Sequence, residues 1–373
     1  MLARMARTIA MTATIATIAT TARFAVRRAP DLALLLALAL AGACGSGGSA
    51  SSDGSAPGAG AADGALPVSD DRDARPTDAS TSADAAAPDA APAMDAAPDD
   101  PAGAVLPGDG GARTPQERFL PHPTGACPEF TAGRLTFHPA GGARDVQILM
   151  TDATRTLHGP LVFYWYGTGG NPTQVQAALG ADAIAAIEAR GGIIAVPYHD
   201  PAAGVWPWYL VAGTQEFDLQ VADEVVGCAR EKVGIDERRI HSVGFSAGAL
   251  HTVQMSYRRS GYVASVVTYS GGQATPLPDQ DPANPFAALI FHGGPGDQVV
   301  ISFQMVSERY RMELAAAGRF AVLCNHGLGH AIPPDGARTA WRFLSDHPFG
   351  TRPSPYAAGL PAGFPTYCSI SAP

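Results

Sequence analysis

Ile240-His241-Ser242-Val243-Gly244-Phe245-Ser246-Ala247-Gly248-Ala249-Leu250 is the stretch that decides how this chain is read. Residues 240–243 form a short β-prone run, and residues 247–259 have the composition of a helix. Between them, two glycines permit a tight strand-to-helix turn that holds Ser246 strained and exposed above the carboxyl edge of a sheet. In a chain with 42 glycines the bare pattern Gly-x-Ser-x-Gly arises by chance. Strand, motif and helix in register are what point to a reactive serine rather than an inert turn.

Working outward, short β-branched or aromatic runs at residues 146–150, 161–165, 193–196, 263–269, 288–291 and 320–324 predict further strands. Several are apolar without alternation, as strands covered on both faces are. Helices are predicted at 172–189, 218–233, 303–317 and 339–346. Asn171-Pro172 supplies an N-cap followed by proline, and Gly318 stands where the fourth helix should stop. Strands alternating with helices define an α/β protein with a mostly parallel sheet and helices on both faces.

A nucleophilic serine needs a base and an acid, in the chain order Ser, acid, His on such a sheet. After Ser246 the histidines are His251, His292, His326, His330 and His347. His251 falls inside the helix that follows the serine, His292 on the turn that should carry the acid, and His347 beyond the last helix. The loop Asn325-His326-Gly327-Leu328-Gly329-His330 follows the last predicted strand, so His330 is the expected base, with His326 the alternative. The acid belongs on the loop Gly293-Gly294-Pro295-Gly296-Asp297, where Asp297 is the one carboxylate; its other reading is a helix N-cap. The spacing of His326 and His330 could suggest zinc. The glycines between them oppose the helix that would align them, so no metal is expected.

An oxyanion needs N–H donors. One should be the backbone of Ala247 at the positive end of its helix. The other should come from Tyr166-Gly167-Thr168-Gly169-Gly170, with Thr168 N–H favoured and Gly167 beside it. The alternative there is a plain glycine turn.

With these residues in place the domain resembles the secreted esterases grouped around polyhydroxybutyrate depolymerases and feruloyl or acetylxylan esterases, members of the α/β-hydrolase superfamily. The resemblance spans residues 161–330. It is carried by Pro160-Leu161-Val162-Phe163 leading to Gly167, by Arg239-Ile240 before the serine motif, by His292-Gly293 with Asp297 and Val299, and by Gly327-Leu328-Gly329-His330. It implies the α/β-hydrolase fold and a monomeric, cofactor-free acyl-enzyme mechanism on esters of plant polymers or polyesters. Where those enzymes carry His-Gly at the oxyanion turn, this chain has Tyr166-Gly167. For specificity, Tyr166 and the aromatics Trp206 and Trp208 on the loop from Tyr198 to Tyr209 are candidates to stack on an aryl or sugar group, or else to pack. The competing functions are a serine peptidase on the same fold and a surface binding protein without turnover.

Three segments are expected along the chain. Residues 1–44 carry Arg4, Arg7, Arg23, Arg27 and Arg28, then an apolar run at 32–40 that is short for a membrane span but fits a signal peptide. Ala41-Gly42-Ala43-Cys44 resembles the site at which bacterial lipoproteins are cleaved and acylated on Cys44, with secretion after Ala43 as the alternative. Residues 45–115 are Ala, Asp, Pro, Gly and Ser with almost no apolar bulk, which makes them a tether without a core. Residues 116–373 are enough for one domain.

The net charge of −9 belongs to that tether, where about twelve Asp face three Arg, and no basic patch indicates a nucleic-acid partner. Cys127, Cys228, Cys324 and Cys368 all fall in the domain, an even number that suggests two disulfides in an exported protein. Three pairings exist; Cys127 with Cys228 and Cys324 with Cys368 is the favoured one, and buried free thiols are the alternative.

Overall fold

The computed structural model describes residues 119–370; the expected signal peptide, Cys44 and the whole of the tether lie outside the described residues. Nine strands form one sheet. They are β1 (Gly133–Phe137), β2 (Arg144–Leu149), β3 (Leu161–Trp165), β4 (Ile193–Pro197), β5 (Ile240–Phe245), β6 (Ser265–Tyr269), β7 (Ala287–His292), β8 (Ala321–Asn325) and β9 (Cys368–Ile370). Six helices accompany them: α1 (Thr154–Leu157), α2 (Val175–Ala189), α3 (Glu216–Lys232), α4 (Ala247–Arg258), α5 (Phe303–Ala316) and α6 (Gly336–Asp346).

The spatial order is β1-β2-β4-β3-β5-β6-β7-β8-β9. From β4 to β8 the pairings are parallel, while β1, β2 and β9 close the two edges antiparallel. The central strands β3, β4, β6 and β7 are buried at every residue, which is why their sequences do not alternate. At the edge, β2 alternates buried with half-buried positions, as a strand with one solvated face does. The order reverses between β3 and β5, because the chain runs outward from β3 to β4 and then returns to the far side of β3. Ligands of open α/β sheets sit at such a reversal, outside the carboxyl ends of the strands. Here those ends lead into Gly167 and Ser246.

The strands expected from sequence are present, and two edge strands, β1 and β9, are added. The first expected helix is less regular than its pattern suggests. It begins as a 3-10 turn, Pro172–Gln174, capped by Asn171, and α2 is then broken at Gly180, whose φ of +76° a glycine tolerates. A Cβ there would come 3.3 Å from Ala337 Cβ of α6, so the break lies where α6 packs against α2.

Both disulfides have the favoured pairing, Cys127–Cys228 and Cys324–Cys368. The first belongs to a clasp in which the Glu224 carboxylate of α3 accepts from Thr124 N, Thr124 Oγ1 and Gly125 N at 2.7, 2.9 and 2.8 Å. The second joins β8 to β9 at directly opposed positions. Their spans of 101 and 44 residues correspond to about 5 and about 4 kcal/mol of unfolded-chain entropy. Replacing either pair by serine should therefore cost about 2–5 kcal/mol, read as a lower denaturant midpoint with a raised m-value, because the released unfolded chain is less compact.

Among the buried imidazoles of the described residues, His241, His251 and His347 are the three that burial shifts furthest. Burial pushes His241 and His251 down to about 3 and His347 to about 4. Below about pH 6.5 the unfolded chain takes up protons that the folded chain refuses. Stability is thus full above that pH and is lost as the pH falls toward the folded values. At pH 4.5 each histidine should account for a loss of about 2–3 kcal/mol. Neither ring nitrogen of His251 has a hydrogen-bond partner among the described residues, so His251→Phe should fold and should flatten the fall between pH 7.5 and 4.5 in urea titrations.

Candidate active site

The serine turn is dictated by two close approaches. A Cβ at 248 would lie 1.9 Å from the Trp165 carbonyl oxygen, and one at 244 would lie 2.3 Å from the Gly248 carbonyl oxygen. Only glycines let α4 start this near β3 and β5. Between them Ser246 has φ +56° and ψ −121°, a conformation that L-residues rarely adopt, held in place by Ser246 N donating to Tyr269 O at 2.9 Å. Its hydroxyl is thereby presented above the sheet at the end of β5.

The loops after β7 and β8 meet beside it. A Cβ at Gly293 would lie 1.8 Å from Gly329 O, and Gly329 N donates to Gly293 O at 3.1 Å, so the two loops touch backbone to backbone. This contact brings Asp297 and His330 together. His330 Nδ1 lies 2.7 Å from Asp297 Oδ1, and His330 Nε2 lies 2.9 Å from Ser246 Oγ. Asp297 is fully buried, and its other oxygen accepts from Gly293 N at 2.9 Å. The His330 ring lies between Phe245 and Phe303, at centroid distances of 5.0 and 4.6 Å. A proton can pass from the serine oxygen to Nε2 while the carboxylate faces the opposite nitrogen.

His326 lies in the same loop, with other partners. Its backbone N donates to His292 O, its Nδ1 accepts from Leu328 N at 3.2 Å, and its Nε2 is buried without a partner among the described residues. Burial lowers its pKa. It shapes the loop from which His330 reaches the serine. Among the described residues, no group of three or more His, Cys, Asp or Glu side chains converges as a metal site would require.

On the other side of Ser246, Gly167 to Gly170 form a turn closed by Gly170 N donating to Gly167 O at 2.9 Å, with Gly169 at φ +75°. A Cβ at Gly167 would come 3.1 Å from Ser246 Cβ, so the turn leans directly on Ser246. Thr168 is exposed, and no hydrogen bond occupies its N–H or that of Ala247 among the described residues. Gly167 is different: its N–H donates to Gln174 Oε1 at 2.9 Å and is not available to a ligand. The pair that can face an oxyanion is Thr168 and Ala247.

Two of the aromatic candidates prove to be packing. Trp208 is fully buried, against Trp165 and Tyr166 at 4.9 Å each, with its Nε1 donating to Tyr166 O at 2.7 Å. Tyr166 is 1 % exposed, and its hydroxyl accepts from His199 N at 2.7 Å. Neither offers a face to a ligand, because both rings are enclosed in the core. Trp206 is half-buried on the same loop. That loop is fastened by the buried pair Arg144–Asp218 at 2.9 Å, whose Asp218 also accepts from Tyr209 N. Burial raises the Asp218 pKa, with Arg144 opposing it.

Gln174 escaped sequence reading, as did the two phenylalanines around His330. A glutamine ending a short 3-10 turn bears no local mark of its role.

The strand order, the serine turn and the placement of the two loops are those of the α/β-hydrolase fold. Among solved structures, that of native pOPH is 18% identical over 68% of this chain and 97% of its own, with a TM-score of 0.53. A complex of a pOPH variant with pNPB is likewise 18% identical over 66% of this chain and 96% of its own, at a TM-score of 0.52. Native sOPH is 17% identical over 66% of this chain and 96% of its own, at a TM-score of 0.50. No family model and no curated protein matches the chain.

Proposed function

We propose that this chain is an exported serine hydrolase of carboxylic esters, held at a membrane by an acyl group on Cys44. The observation that carries the reading is the continuous hydrogen-bonded relay from Ser246 Oγ through His330 to the buried Asp297. Ser246 Oγ attacks the ester carbonyl as its proton passes to His330 Nε2. Thr168 and Ala247 N–H groups receive the oxyanion, and Asp297 stabilises the imidazolium. His330 then protonates the leaving alkoxide, and the acyl-enzyme is released by water that His330 deprotonates in turn. Two disulfides agree with an oxidising compartment, and no helix among the described residues is long and apolar enough to cross a membrane.

Of the ester classes the resemblance implies, the rim favours an apolar one over a sugar ester. Val299 and Val300 on the acid loop, Met305 at the start of α5 and Leu328 on the base loop are all exposed, each within a few residues of a group that touches His330. Specificity on p-nitrophenyl esters should then rise about two- to fourfold per added methylene beyond acetate. Turnover of these esters, with covalent labelling of Ser246 by a fluorophosphonate, tests the reading. A folded protein that neither turns over nor labels is a binding protein on this fold, and one that cleaves peptides but not esters is a peptidase.

A further inference from the structure

The peptide unit joining Tyr166 to Gly167 is gripped at both of its polar atoms by side chains. Its carbonyl oxygen accepts from Trp208 Nε1 at 2.7 Å, and its N–H donates to Gln174 Oε1 at 2.9 Å. The same Gln174 oxygen accepts from the buried Tyr164 hydroxyl at 3.0 Å, so two donors converge on it and only the oxygen end of the carboxamide fits. Gln174 reaches this point from the last position of the 3-10 turn Pro172–Gln174, whose start is fixed by Asn171 Oδ1 accepting from Thr173 N at 2.9 Å. The next N–H along the chain is that of Thr168. The following plane, which carries Gly167 O and Thr168 N–H, is itself held by Gly170 N donating to Gly167 O at 2.9 Å, so with the first plane gripped at both polar atoms the glycine between them has little freedom left.

We propose that Gln174 is the positioning residue of the oxyanion turn: it holds the Gly167 amide so that Thr168 N–H faces the anion formed at Ser246. The proposal rests on the ester-hydrolase reading of the same site. Gly167 is buried, so an amide released by Gln174 has no water to take over and must turn to find another acceptor. Such a turn swings Thr168 N–H away. The loss is then felt where the oxyanion forms, and not in the binding of the neutral ester.

The test uses the full chain with Gln174→Met, which keeps the length and removes the acceptor, Gln174→Glu, which restores an acceptor, and Tyr164→Phe, which removes only the second donor. Gln174→Met should lower kcat by about 10- to 100-fold with KM changed less than about threefold. It should weaken inhibition by an alkyl boronic acid, a tetrahedral anion on Ser246, by the same factor. Tyr164→Phe should stay within about threefold of wild type in both. Amide exchange at Gly167 should be slow in wild type and Gln174→Glu, and fast in Gln174→Met. A Gln174→Met protein whose kcat and boronate affinity match wild type overturns the proposal, as does one whose KM alone changes. If the wild type turns over no ester, the hydrolase reading fails by itself. Gly167 exchange then still decides: protection kept in Gln174→Met overturns the clamp, and protection lost supports it.

Discussion

Ser246→Ala and His330→Ala are each expected to lower kcat on a short-chain p-nitrophenyl ester by about three to six orders of magnitude, with unchanged circular dichroism. Ser246 Oγ and His330 Nε2 lie 2.9 Å apart, so removing either end abolishes the proton transfer that makes the oxygen a nucleophile. Neither change should disturb the fold. The backbone of Ser246 is tied to Tyr269 O through its N–H, which alanine keeps, and the His330 ring is partly exposed. Because the two act as one unit, the double variant should be no slower than the worse single one. His326→Ala should retain activity within about tenfold, since its ring bonds only within its own loop. Equal losses at His326 and His330 would sink this assignment.

Asp297→Asn should cost about four orders of magnitude in kcat while leaving the domain folded. The reason lies in the second oxygen of Asp297, which accepts the Gly293 N–H at 2.9 Å. An asparagine here keeps its carbonyl oxygen on that N–H, because the amide end has no lone pair to offer it. The NH2 group must then face His330 Nδ1 and can only donate. Nδ1 becomes an acceptor, the ring proton moves to Nε2, and Nε2 points a hydrogen at Ser246 instead of a lone pair. The histidine is in place and in the wrong tautomer. Rising pH should not restore the rate, because the wrong tautomer is fixed by the hydrogen bonds of the introduced asparagine and not by the charge of the ring.

Much of this arrangement was legible in the residues, for identifiable reasons. Apolar runs without alternation announce doubly covered strands, and Gly-Phe-Ser-Ala-Gly at a strand end announces a turn that few other uses require. The two glycine-rich loops after the last strands left few acids and bases to choose from. What could not be read was direction. Trp208 and Tyr166 can be read from the sequence as ligand-facing or as packing, and in the fold they point into the core, because a loop's aromatic content does not say which side faces solvent. β1 and β9 were missed because an edge strand of three to five residues has too few positions to display a period. Gln174 was missed for a related reason, since its partners Tyr164 and Gly167 lie on the preceding strand and turn.

The clasp at Glu224 and Cys228 has a mechanical consequence. Anything that pulls on the chain ahead of Phe119 loads Cys127 before it reaches β1, and the disulfide diverts that tension into the C-terminal part of α3. The edge strands β1 and β2, which a direct pull would peel from the sheet one hydrogen bond at a time, are shielded from the load. A domain leashed by its amino terminus can be tugged by flow or by a bulky substrate without its sheet being unzipped from that end.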